Sequence, residues 1–185
     1  MTEHLRPLDR LPIVPELCHE ESLLGYVARC AEANVHSSCD WIIELLGTAP
    51  ERLSFNLVGL GRLAELTALP RQHLRARGYP LLGSGRCQIL GDDMPKPFVS
   101  VATRRYCPQC LSAASYHRAI WDVRLLAVCP EHGLWLRASC DCGRKLPWRW
   151  PSIGFCPCGR SLAGVASRAA SQEQYPSGEG RDLRA

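Results

Sequence analysis

The sequence predicts a small protein in two parts: an N-terminal helical half containing a helix-turn-helix-like pair, then a compact half built from cysteine knuckles. Three observations carry that expectation. Apolar residues recur at helical spacing as far as Leu74, the stretch from Tyr79 to Arg105 gives way to turn residues, and from Cys107 to Leu162 short chelating elements follow one another.

In the helical half, Leu23, Val27, Cys30 and Ala31 share one face and predict a first helix. Trp41, Ile42, Leu45 and Leu46 form a second stripe that ends at Gly47. Leu60, Leu63, Ala64 and Leu66 mark a third helix, leading into Thr67-Ala68-Leu69-Pro70, where proline fits the first turn of a fourth helix carrying Leu74. These last two helices, joined across a tight break, are the helix-turn-helix-like pair. Arg71, Arg75 and Arg77, with Arg62 before them, could lie along a phosphate backbone, and Gln72 is the one side chain placed to read a base edge. The same arginines read equally well as a solvated face.

Gly83-Ser84-Gly85, Gly91-Asp92-Asp93 and Pro95-Lys96-Pro97 then read as linker. The expected domains are therefore 1–99, helical with its linker, and 100–162, the cysteine half. After Gly164 no apolar stripe remains, so 163–185 is expected to be a disordered tail.

The hydrophobic fraction of 46% suits a folded chain, and the net charge of +4 tolerates a phosphate backbone without being polybasic. No run of about 18 apolar residues is present, and Met1 to Pro7 lack the apolar core of a signal peptide, so a cytoplasmic protein with no membrane partner is expected. In a reducing compartment the eleven cysteines favour metal ligation over disulfides.

Four elements concentrate them: Cys107-Pro108-Gln109-Cys110, Cys129-Pro130-Glu131-His132, Cys140-Asp141-Cys142 and Cys156-Pro157-Cys158. Structural zinc takes four nitrogen or sulfur ligands in a tetrahedron, so these eight ligands fill two sites with none left over. The predicted fold class is small α plus zinc ribbon, with two structural Zn2+ ions as cofactors. Pairing by adjacency puts Cys107, Cys110, Cys129 and His132 on one ion and Cys140, Cys142, Cys156 and Cys158 on the other; an interleaved pairing uses the same residues. Gly133, Gly143 and Gly159 follow three of the elements, as a tight knuckle requires. Cys142-Gly143-Arg144-Lys145-Leu146 and Cys158-Gly159-Arg160-Ser161-Leu162 form a local repeat, each with a leucine to pack beneath its knuckle.

Cys18, Cys30, Cys39 and Cys87 have no second ligand nearby in sequence and read as packing or incidental surface residues. His4, His19, His36 and His73 are isolated. A catalytic zinc needs an open position and an adjacent acid or base, and neither His117-Arg118-Ala119 nor Glu131 in its filled element supplies one, so no catalytic residue is expected. Trp148, Arg149 and Trp150 could form a docking surface for protein or RNA, or could roof the zinc core together with Tyr116, Trp121 and Trp135; Trp121 is assigned to packing.

Taken together, Pro12-Ile13-Val14-Pro15, Glu21-Ser22-Leu23, Arg29, Leu63-Ala64, Leu66 to Pro70, Tyr106 to Leu111, Tyr116, Arg118, Trp121, Cys129 to Gly133 and the two later knuckles resemble the TniQ family, known also through its longer TnsD relatives. The likeness runs from about residue 12 to 162. Two departures stand out: Cys140-Asp141-Cys142 is a C-x-C where C-x-x-C is commoner, and Gly25-Tyr26 stands where serine and tryptophan are usual. The resemblance implies a bacterial, non-catalytic accessory role in transposition. Such proteins link a target-recognition factor, in some systems a CRISPR effector with its guide RNA, to an AAA+ ATPase regulator on DNA. The competing readings are a free-standing helix-turn-helix and zinc-ribbon transcription regulator and, from the enzyme class, a zinc hydrolase or deaminase.

Overall fold

The computed structural model describes residues 9–170. Helix α1 (Leu23–Ala33) starts where the Ser22 side chain accepts the Gly25 N–H, and buries Leu23, Val27, Cys30 and Ala31 as the apolar stripe requires. Helix α2 (Asp40–Leu45) buries Ile42, and a π-helical turn at Arg52–Asn56 buries Leu53 and Phe55. Helices α3 (Leu60–Thr67) and α4 (Arg71–Arg75) pack on each other, with Leu63, Leu66 and Leu74 fully buried. Pro70 stands at the N-cap of α4 instead of inside its first turn, and α4 is only five residues long.

The stretch expected to be linker is a three-stranded antiparallel meander: β1 (Leu81–Leu82), β2 (Arg86–Ile89) and β3 (Asp92–Pro95), in that order. Of the residues read as linker, Gly83-Ser84-Gly85 and Gly91 form its hairpin turns, while Asp92, Asp93 and Pro95 belong to β3 and Lys96-Pro97 to a 3-10 turn. Ser84-Gly85 and Leu90-Gly91 each place two successive residues at positive φ, the backbone that reverses twisted strands tightly. Cys87 and Ile89 point inward while Gln88 is exposed, and Cys87 pairs with Leu81 on one side and Met94 on the other.

Helix α5 (Pro108–Ala113) and a 3-10 turn at Ala119–Asp122 precede the later knuckles, which are held by isolated bridges instead of long strands. One cluster of buried residues runs from Leu11 to Leu162, so the helical and cysteine halves share a core. Within the segment expected to be a tail, residues to Ala170 return against the first knuckle: Leu134 bridges Ala169, and Trp135 N–H donates to the Arg168 carbonyl at 3.0 Å. These backbone bonds supply order that composition does not reveal; 171–185 lie outside the described residues. Among the described residues no helix is long and apolar enough to cross a membrane.

Candidate metal centres and the polar seam beside them

Cys107 caps α5 with proline following it, and Cys110 lies one helical turn on, so both sulfurs face the same way. Cys129 and His132 come from a turn closed by Gly133, whose N–H donates to the Cys129 carbonyl at 2.9 Å with φ at +62°. Cys140 and Cys142, then Cys156 and Cys158, sit on two matching knuckles. In each, the first cysteine N–H donates to the carbonyl of an arginine, Arg144 or Arg160, at 2.9 Å, and a glycine at φ +83° or +85° reverses the chain.

The structure groups the ligands by adjacency: Cys107, Cys110, Cys129 and His132 in one cluster, Cys140, Cys142, Cys156 and Cys158 in the other, with donor atoms of each cluster within 4.8 Å of one another. Zn–S bonds of about 2.3 Å in a tetrahedron put sulfurs about 3.8 Å apart, and a nitrogen slightly nearer. Cys110 Sγ to Cys129 Sγ is 3.5 Å, and His132 Nδ1 lies 3.7, 3.2 and 3.6 Å from Cys107, Cys110 and Cys129. In the second cluster Cys140 to Cys158 is 3.8 Å and Cys142 to Cys156 is 3.7 Å. Both clusters therefore fit a tetrahedral ion. The Cys129 thiol is pushed down to about 5, by the Cys110 hydrogen bond first and then by His132 and the backbone N–H groups of the turn. Cys158 is lowered to about 7, led by the Arg160 N–H.

The clusters differ in setting. Cys107, Cys110 and Cys129 are buried and His132 half-buried, whereas Cys142 and Cys158 are exposed. Beside the first cluster, Glu131 pairs with Arg118 at 3.2 Å and approaches Cys110 Sγ only to 3.6 Å. Arg118 in turn covers the Tyr116 and Trp121 rings. Glu131 thus lies between a cation and the Cys110 sulfur, outside the four residues of the cluster.

Sequence reasoning missed a buried polar seam between the halves. Ser22 Oγ lies 2.9 Å from His117 Nδ1, His117 Nε2 lies 3.8 Å from Asp122, and Asp122 accepts the Tyr79 hydroxyl at 2.5 Å. Ser22, His117 and Asp122 are 1%, 0% and 0% exposed, so despite a serine–histidine–aspartate grouping no substrate reaches it. Burial, reinforced by Arg104, holds His117 well below its ordinary value; burial raises Asp122 to about 8 against the Tyr79 hydrogen bond. Beside the seam, Glu21 is fully buried and pairs with Arg29 at 2.8 Å. Only pairwise spacing in three dimensions reveals these residues, because they lie on three separate segments, at Glu21 to Arg29, Tyr79, and His117 to Asp122.

The remaining expected site residues are scattered. Arg71, Gln72 and Arg75 are exposed on α4, and Arg62 pairs with Glu65 at 2.9 Å. Arg77 differs: its guanidinium donates to the His73 and Cys18 carbonyls at 2.8 and 3.1 Å, tying α4 to the segment before α1. Trp148, Arg149 and Trp150 each bond within the chain, Arg149 at the surface. The Trp148 indole N–H donates to the Val101 carbonyl at 2.7 Å and its ring packs on His117; Trp150 donates to the Phe155 carbonyl at 2.8 Å; Arg149 pairs with Asp40 at 2.9 Å, and its carbonyl accepts the Cys39 N–H. Arg149 fastens the second metal loop to the start of α2, and Trp148 ties the same loop to Val101, so the segment works as a clasp. Trp121 is fully buried, Cys30, Cys39 and Cys87 are buried, and Cys18 is half-buried.

A model of the TniQ family matches residues 12–136, which covers the helical half, the meander and the first cluster and stops short of Cys140. No curated protein matches the chain.

Proposed function

We propose that this chain, which belongs to the TniQ family and is therefore a transposition-associated accessory protein, works as a non-catalytic target-selection adaptor. In this reading it links a target-recognition complex to an AAA+ regulator on DNA; a CRISPR effector with its guide RNA is one form such a complex takes. The observation that carries the reading is the family match over 12–136, which runs unbroken from α1 through the first metal cluster.

The two clusters support a structural role for metal. Cys107, Cys110, Cys129 and His132 would hold one zinc ion, and Cys140, Cys142, Cys156 and Cys158 a second. Zinc bound by four protein ligands staples a fold and has no position for an activated water. The burial of Ser22, His117 and Asp122 supports the same non-catalytic reading. Arg71 and Arg75, exposed on α4, fit sequence-independent contact with a phosphate backbone. A free-standing transcription regulator would need a recognition helix to cross a major groove, and α4, at about 7.5 Å for five residues, is short for that task.

The test is association of the purified, metal-loaded chain with the AAA+ ATPase of its transposon, with ATP and duplex DNA, against controls lacking ATPase or DNA. Association that requires the ATPase is expected. Tight sequence-specific DNA binding with no ATPase association would overturn the adaptor reading.

A further inference from the structure

We propose that the second cysteine cluster is an oxidation site, at which peroxide converts Cys158–Cys140 and Cys142–Cys156 to disulfides and releases the metal while the first cluster keeps its own. The observation is an asymmetry between two clusters of matching geometry. The first has three buried cysteines and is covered by Arg118, Glu131 and α5. In the second, Cys142 and Cys158 are exposed, and each lies within 3.8 Å of a buried cysteine on the opposite knuckle, Cys156 or Cys140.

Reactive cysteines are those that combine thiolate character, access and an electropositive setting. The second cluster has all three. Metal ligation requires thiolates; Cys142 and Cys158 meet solvent; and the exposed cations Arg144, Lys145 and Arg160 follow them within three residues. A resolving thiolate already in place is the remaining feature of a reversible redox site.

The Cys158 thiolate attacks one peroxide oxygen, breaking the O–O bond to give a sulfenic acid and hydroxide. The Cys140 thiolate then attacks that sulfur, forming the S–S bond and expelling a second hydroxide; two protons from solvent make two waters. Two thiolates are oxidised and one peroxide is reduced. A second peroxide does the same at Cys142 and Cys156, and the ion, having lost its ligands, leaves.

The consequence reaches the helical half. The loop between the knuckles carries Trp148, whose indole bonds Val101, and Arg149, whose bonds to Asp40 and Cys39 clasp the start of α2. Losing the metal removes the staple under that loop and frees the clasp.

The inference rests on both clusters holding metal, so the experiment begins by counting metal per chain in the untreated full-length protein. Hydrogen peroxide is then titrated in, with released metal read by a chromogenic chelator and retained metal by native mass spectrometry. Two equivalents are expected at the start, and one is expected to leave at least about tenfold faster than the other, given the difference in access. Tryptic digestion of the one-metal species should show peptide 138–144 linked to peptide 150–160, with Cys107, Cys110 and Cys129 still alkylatable once denatured. Trypsin should also cut the oxidised protein after Arg149 sooner than the untreated one. Release of both ions together, release from the first cluster first, or release without that cross-link would overturn the proposal. An untreated chain with no metal on Cys140, Cys142, Cys156 and Cys158 would remove its premise as well. Since no readout involves transposition or the ATPase, failure of the adaptor reading leaves the result unaffected.

Discussion

At Asp122 a carboxyl group is held with no full charge partner. It accepts the Tyr79 hydroxyl and faces His117 Nε2 across 3.8 Å, and burial raises it to about 8. A carboxyl whose folded value is raised stabilises the fold fully below its unfolded value near 4 and loses that contribution as pH rises towards about 8. His117 is depressed by burial, so its contribution is lost in the other direction, as pH falls below about 6.5. Asp122→Asn cannot ionise and keeps an acceptor for Tyr79. With metal saturating, the wild-type chain should lose stability relative to this variant between pH 6.5 and 8, by at most about 1.4 kcal/mol per pH unit. Urea melts at several pH values measure that difference, and a difference that does not change with pH would contradict the assignment. Gly25 belongs to the same seam. A Cβ there would stand 2.8 Å from His117 Cβ and 2.9 Å from Ser22 Oγ. Gly25→Ser should cost about 1–3 kcal/mol by overpacking, more than a helix gains from losing a glycine. The missing Cβ at Gly25 thus leaves the room that His117 fills.

Among the elements, α4 separates residues that resemble one another in sequence. Arg71 and Arg75 face solvent, while both ends of the Arg77 fork are committed to backbone carbonyls. If α4 lies along DNA, Arg71→Ala with Arg75→Ala should reduce the slope of log affinity against log salt by about two phosphate contacts, near 1.8. Arg77→Ala should leave that slope unchanged and lower the melting temperature, because it releases α4 from Cys18. Fluorescence anisotropy with a short duplex at several salt concentrations separates the two cases. The contrast also shows what was legible in the sequence. Periodicity located α1 and α3 because their apolar residues recur at helical spacing, α2 and α4 bury only Ile42 and Leu74, and chelating spacing located both clusters because metal ligation constrains near neighbours. The meander was not legible: its strands are two to four residues long, β3 carries two aspartates and a proline, and its turns look like linker. The bonds that Arg77 and the tryptophans of the clasp make were not legible, because a polar group's partners here are distant carbonyls, which spacing does not encode.

Across the whole molecule, the composition break near residue 99 is not a break in packing. Cys107, Cys110, Cys129, Cys140 and Cys156 belong to the same buried cluster as Leu23, Val27 and Ile42. Backbone bonds also cross between the halves: Ser22 N–H donates to the His117 carbonyl at 2.9 Å, and Ala119 N–H to that of Glu20 at 2.8 Å. A segment of about 60 residues is marginal alone, and structural zinc contributes about 10–16 kcal/mol of binding free energy that appears as folding free energy. Because α1 packs against elements that the first cluster holds, removing that metal should unfold the helical half too. Cys110→Ala is therefore expected to lose most of the far-UV helical signal, whereas Cys142→Ala, at the exposed cluster outside the family match, should lose one metal and keep α1 folded. Segment 1–99 expressed alone should show no cooperative thermal transition, since Gly25 of α1, which meets His117, and the segment at Glu20, which meets Ala119, would be open to water. A sharp transition in that segment, or full helicity in Cys110→Ala, would mean that the halves fold independently and that the metal holds only its own knuckles.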